Sequence, residues 1–184
     1  MLDKETLHLR VYANASFATN DDLSSQMRYI VLLCDGHSRC HVMTYSSRKS
    51  IRVVKSIMAG EVYAFADAFD AACVIKHDLE RMDDEHLPLV MLKDSKQMFD
   101  AITRASYTTG KRLMIDVAAA REAYKRYEIS NVGLVRSEHN PADGLTKPQV
   151  CAALDTTLRM GTDVHPVEHW VTRNETIWPR RPRP

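Results

Sequence analysis

The sequence predicts one α/β domain with a mixed five-stranded sheet flanked by helices. Three observations carry that reading. Near the start of the chain, Leu7, Leu9, Val11, Ala13 and Ala15 alternate with His8, Arg10, Tyr12, Asn14 and Ser16, the period of a strand with one buried face. In the middle, Leu87 to Leu92 is an unbroken apolar run, as expected of a strand covered on both faces. Between them Met58, Val62, Phe65, Phe69 and Ala72 fall on one stripe of a long helical pattern.

Taken in order, the elements read β-β-β-α-β-α-α-β-α. A polar stretch from Thr19 to Ser25 turns the chain into a second strand, Met27 to Cys34. Asp35-Gly36 is a turn signal before a third strand, His41 to Tyr45, which completes an antiparallel meander. The long helix and the apolar strand come next. Two helices follow, at about 96–105 and 111–127, parted by a turn at Thr108, Thr109 and Gly110. Leu113, Val117, Ala120 and Tyr124 give the second of them its buried stripe. Ile129 to Val135 is a short strand, and Pro141 suits the first turn of a last helix running to Met160-Gly161. The domain is expected to span residues 1–174, with the Pro- and Arg-rich 175–184 as a tail.

Composition narrows the function classes. The 184 residues are 45% hydrophobic and 27% charged, an ordinary globular balance. Lys plus Arg number 25 against 24 Asp plus Glu, so binding by bulk positive charge is excluded. No apolar run approaches the roughly 18 residues of a membrane span, and no membrane partner is expected. The opening MLDKETLHLR carries no apolar signal region, so an intracellular location, cytoplasm or nucleus, is expected. Cys34, Cys40, Cys73 and Cys151 form no CxxC pair, which argues against a zinc ribbon and for reduced thiols.

Three acidic residues stand out. Asp94 ends the central apolar strand, where open α/β sheets place their sites, although taken alone Asp94-Ser95 reads better as a helix N-cap. Glu61 lies at the edge of its helix's apolar stripe and follows Gly60, whose missing side chain allows close approach. A glutamate reaching to solvent fits that position as well. Asp143, in HNPADG, is either a first-turn acid favoured by the helix dipole or a site residue. Brought together, such carboxylates offer the oxygen ligands that Mg²⁺ prefers, and two such ions suit phosphodiester hydrolysis.

The segments VYANASFA, SSRKSIRVVKSIMAGE, LKDSKQMFDAI, KRLMIDVAAAREAY and HNPADGLTK carry a further signal. From about Val11 to Arg173 the chain resembles the ribonuclease H (RNase H) domain of Ty1/copia-type retrotransposon polyproteins. The resemblance implies an RNase H-like fold and a four-carboxylate site that holds two Mg²⁺ or Mn²⁺ ions and cuts the RNA strand of an RNA/DNA hybrid. By motif position Glu61, Asp94 and Asp143 match three metal-binding acids. The fourth, on the first strand, falls on Asn14, where the family pattern has aspartate. An amide brings one neutral oxygen and no charge, so weakened metal binding and reduced or absent hydrolysis are expected. His139 sits in the loop before Asp143, where related enzymes carry a histidine that assists proton transfer or product release; a solvated loop histidine is the plainer reading.

Other charged residues fit the same frame. Arg48, Lys49, Arg52 and Lys55 give Ser46–Lys55 a charge of +4 with no acid, either a solvated turn or a hold on phosphates. Arg104, Lys111 and Arg112, with Tyr107, form a second basic stretch that family analogy places against the hybrid. His165 and His169 have i,i+4 spacing for a metal, but with no third ligand in view a structural role is preferred. Beside the hybrid, a reverse transcriptase domain or a host protein is an expected partner. The competing reading is a catalytically inactive, domesticated module that binds nucleic acid or protein. An integrase or resolvase is disfavoured by the KRLMID and NPADGLTK matches.

Overall fold

The computed structural model describes residues 1–103, 111–145 and 149–172. Ten regular elements follow one another: β1 (His8–Ser16), β2 (Gln26–Cys34), β3 (Cys40–Lys49), α1 (Ile57–Asp83), β4 (Leu89–Lys93), α2 (Lys96–Thr103), α3 (Lys111–Lys125), β5 (Asn131–Val135), α4 (Ala152–Met160) and β6 (Val167–Trp170). The sheet is mixed, in the order β3-β2-β1-β4-β5-β6. β1, β4 and β5 run parallel at its centre, and β2, β3 and β6 are antiparallel to their neighbours.

Alternation along the strands divides the core in two. Leu9, Val11 and Ala13 of β1 and Leu89 and Met91 of β4 face α1, α2 and α3, where Val62, Phe65, Met98 and Val117 pack on them. The other face, with Tyr12, Ile30, Leu32 and Leu92, is covered by Ala142, Leu145 and Leu154. The apolar run of β4 is thus buried on both sides, as its composition predicts. Ser56 caps α1, its Oγ accepting the Ala59 N–H at 3.1 Å. From there the apolar stripe carries the helix through 27 residues.

Three expectations change. The sheet has a sixth strand: β6 pairs antiparallel with β5, Gly133 opposite Trp170 and Leu134 opposite His169. Its four residues are mostly exposed, so no apolar alternation announced it. The third strand runs on to Lys49, which puts Arg48 and Lys49 in the sheet. Finally, no continuous helix starts at Pro141. Pro141–Leu145 is a 3₁₀ turn, and α4 begins only at Ala152. Asn140 accounts for the turn: its Oδ1 accepts the Ala142 N–H at 3.1 Å while its Nδ2 donates to the Ala13 carbonyl at 3.2 Å. The tail 175–184 lies outside the described residues. No helix among the described residues is long and apolar enough to cross a membrane.

Candidate active site

The C-terminal ends of the parallel strands β1 and β4 lie side by side, with Ala13 in register with Lys93. That places Asn14 and Asp94 at one rim of the sheet. Glu61 reaches the same rim from the first turns of α1. Gly60 makes this approach possible, because a Cβ there would stand 3.3 Å from the Ala15 Cβ. Asp143 comes from the 3₁₀ turn that Asn140 ties to β1. Asn14, Glu61, Asp94 and Asp143 all line one cleft of about 760 Å³.

The four side chains are held by hydrogen bonds and by two cations. Asn14 Nδ2 donates to Asp143 Oδ1 at 2.8 Å, and Asn14 Oδ1 accepts the Ala15 N–H at 2.7 Å. Lys93, 1% exposed, ends β4 with its ammonium paired to Glu61 Oε2 and 3.5 Å from Asp94 Oδ1. It also donates to the Ala13 carbonyl at 2.7 Å. Arg28, directly opposite Asn14 on β2, is likewise buried. Its guanidinium stands 3.4 Å from Asp143 Oδ1 and donates to Ser16 Oγ at 3.0 Å.

Burial and these pairs pull in opposite directions. Burial raises the Glu61 carboxyl above its ordinary range, and Lys93 counters it. Burial likewise lowers Arg28, against the pull of Asp143, then Glu61 and Asp94. Sequence reasoning missed both cations. The signal was there: an arginine inside the apolar strand MRYIVLLC, and a lysine closing a buried apolar run.

This donor set, as placed, does not suit a pair of divalent ions. A metal needs carboxylate oxygens turned to a common point, whereas here an ammonium stands on Glu61 Oε2 and Asp94 Oδ1, and a guanidinium and an amide share Asp143 Oδ1. Among the described residues, no group of three His, Cys, Asp or Glu side chains is arranged to hold a metal ion.

The remaining candidates divide. His139 is not among the residues that line the cleft; its ring stacks on His165, 6.1 Å between centroids. His165 is buried with its Nε2 3.3 Å from Thr157 Oγ1, in keeping with a structural role. Arg48 pairs with Asp67 at 2.7 Å, Lys49 with Asp22, and Arg52 lies over the Tyr63 ring at 5.0 Å. Lys55 is exposed just before α1. Gln26 pairs with Lys49 and Ser16 with Gln26, so Lys49 stands at the cleft's end of the sheet. Arg104 and Tyr107 lie outside the described residues, as do the side chains of Lys111 and Arg112.

A meander of three antiparallel strands, a long helix, three parallel central strands and a rim cluster where β1 and β4 end define the RNase H-like fold. Solved structures agree. RNase H1 from the halophilic archaeon Halobacterium salinarum aligns with a TM-score of 0.55 at 18% identity, over 80% of this chain and 98% of its own. LC11-RNase H1, isolated from compost by a metagenomic approach, aligns with a TM-score of 0.54 at 15% identity, over 82% and 98%. The N-terminal RNase H domain of a Mycobacterium tuberculosis protein gives 0.53 at 15%, over 85% and 100%. No protein-family model and no curated protein matches the chain.

Proposed function

We infer that this chain is an RNase H-type domain of retrotransposon origin that engages RNA/DNA hybrids, with hydrolysis of the RNA strand reduced or absent. The observation that carries the reading is convergence. Asn14, Glu61, Asp94 and Asp143, matched to the family only by motif, come from four separate elements and line one cleft. LC11-RNase H1 has also been solved in complex with an RNA/DNA hybrid, and that structure aligns with a TM-score of 0.53 over 74% of this chain. In the family reading, two Mg²⁺ or Mn²⁺ ions supply the Lewis-acid chemistry of phosphodiester cleavage. In this chain Asn14 withholds a charge from that centre, and Lys93 and Arg28 add two of opposite sign.

The chain's own residues have a clear division of labour in this reading. Asn14 fixes the Asp143 carboxylate, Lys93 fixes Glu61 and Asp94, and Lys49 and Lys55 offer positive charge to a backbone lying across the rim. A reverse transcriptase domain or a host protein is the natural further partner, and an intracellular setting follows from the same origin. The test is binding of a labelled RNA/DNA hybrid against salt concentration, alongside RNA-strand cleavage in Mg²⁺. Affinity that falls steeply with salt and little or no cleavage are expected. A flat, weak salt response removes nucleic acid from the function; rapid cleavage removes the impairment.

A further inference from the structure

The rim cluster contains its own counter-ions. Glu61, Asp94 and Asp143 bring three negative charges, and Lys93 and Arg28 bring two positive ones. Lys93 has three protons to donate and three acceptors around it: Glu61, Asp94 and the Ala13 carbonyl. Its stem is buried in the sheet, and its ammonium sits between the two acids with 1% of the residue exposed. On the other side, Asp143 Oδ1 receives both the Asn14 amide and the Arg28 guanidinium. Each acid at the rim is therefore already matched by a cation or an amide of the chain itself.

The geometry points to a cleft in which Lys93 and Arg28 stand where divalent metal would have to bind, so that an RNA/DNA hybrid is held without any metal ion, by positive charge outside this cluster such as Lys49 and Lys55. The hybrid part of this statement rests on the reading above; the exclusion of metal rests on the ion pairs alone. A divalent ion entering between Glu61 and Asp94 has to displace this ammonium from both acids or share one small volume with it, like charge against like. Asn14 and Lys93 act together in this respect. An aspartate at position 14 adds one charge beside Asp143 but leaves the ammonium between the other two acids. Restoring the single missing carboxylate is thus insufficient to rebuild a metal centre.

Mn²⁺ titration followed by electron paramagnetic resonance of the free ion tests this on the full chain, on Asn14→Asp and on Asn14→Asp/Lys93→Met. The chain and the single variant are expected to show no saturable Mn²⁺ binding. The double variant, with the lysine's length kept and its charge gone, is expected to bind at least about tenfold more tightly than the single one. Saturable Mn²⁺ binding by the unaltered chain overturns the inference without any variant, as does a single variant that binds as well as the double. Hybrid affinity measured in EDTA and in Mg²⁺ gives an independent reading: equal values are expected, and a gain of about tenfold or more in Mg²⁺ overturns it. Absence of hybrid binding in both buffers defeats the proposed function and leaves the Mn²⁺ series to decide the metal question.

Discussion

β1 carries two charged clusters on alternate residues, and they are built to different ends. Asn14 belongs to the open rim. Two and four residues earlier, Tyr12 and Arg10 belong to a sealed cluster around Asp163, whose side chain is 0% exposed. Tyr12 Oη donates to both Asp163 oxygens, at 2.8 and 3.0 Å, and Arg10 Nε stands 3.0 Å from one of them. The His165 N–H closes the set at 3.4 Å. Burial and the neighbouring carboxylate drive the Tyr12 hydroxyl well above its ordinary range, so it stays a donor. At the rim, by contrast, the Asp143 side chain keeps 15% of its surface open to a cleft. Sealed charge fastens the segment after α4 to the sheet; open charge faces whatever lies across the rim.

The largest expected effect falls on the sealed side. Asp163→Ala strands Arg10 and Tyr12 and is expected to cost about 3–5 kcal/mol in urea unfolding. Next comes the strand that closes this side. A Cβ on Gly133 would stand 2.6 Å from Val167 Cγ1 and 2.8 Å from Leu92 Cδ2, so Gly133→Ala is expected to cost about 1–3 kcal/mol and to loosen β6 in hydrogen exchange.

pH gives a sharper contrast. Burial pushes the His165 imidazole below its ordinary 6.5 against the pull of Asp163, with His139 and Arg10 also lowering it. The unfolded chain then takes up the proton first, so this contribution is full above 6.5 and is lost as pH falls through the folded value. His165→Gln is expected to flatten that part of the stability profile in thermal melts, and an unchanged slope would assign it elsewhere.

At the rim Asp143→Asn keeps an acceptor for Asn14 but removes the charge facing the buried Arg28, and is expected to cost about 1–2 kcal/mol. A cost matching that of Asp163→Ala would erase the distinction between the two clusters. Smallest in stability is Lys49→Ala, within about 0.5 kcal/mol. Its effect is expected in hybrid binding, where the salt slope drops by about 1.

Much of this was legible because periodicity and burial coincide. The alternation of β1, the apolar run of β4 and the stripe of α1 follow directly from which faces are covered. β6 escaped because an edge strand with three of its four residues exposed needs no apolar pattern, only the groove that Gly133 leaves. The helix expected from Pro141 failed because Asn140 spends its side chain on Ala142 and on β1, which favours a tight turn over a continuing helix. Asn14, Glu61, Asp94 and Asp143 could be named from motif, yet their company could not. Lys93 and Arg28 acquire meaning only from register, one beside Ala13 and the other opposite Asn14.

β3 is an edge of the sheet, and its middle residues Met43 and Tyr45 are 38% and 67% exposed. Such an edge invites pairing with a second chain. One end is shielded where Cys40 N donates to the Gly161 carbonyl at 2.7 Å, and a bulge between Val31 and Leu32 disturbs the ladder beside it. The other end carries the charges of Arg48 and Lys49, paired to Asp67 and Asp22. Removing these charges to weaken hybrid binding also strips an exposed edge of charge, so such variants must be shown to be monodisperse before any loss of affinity is assigned to phosphate contacts.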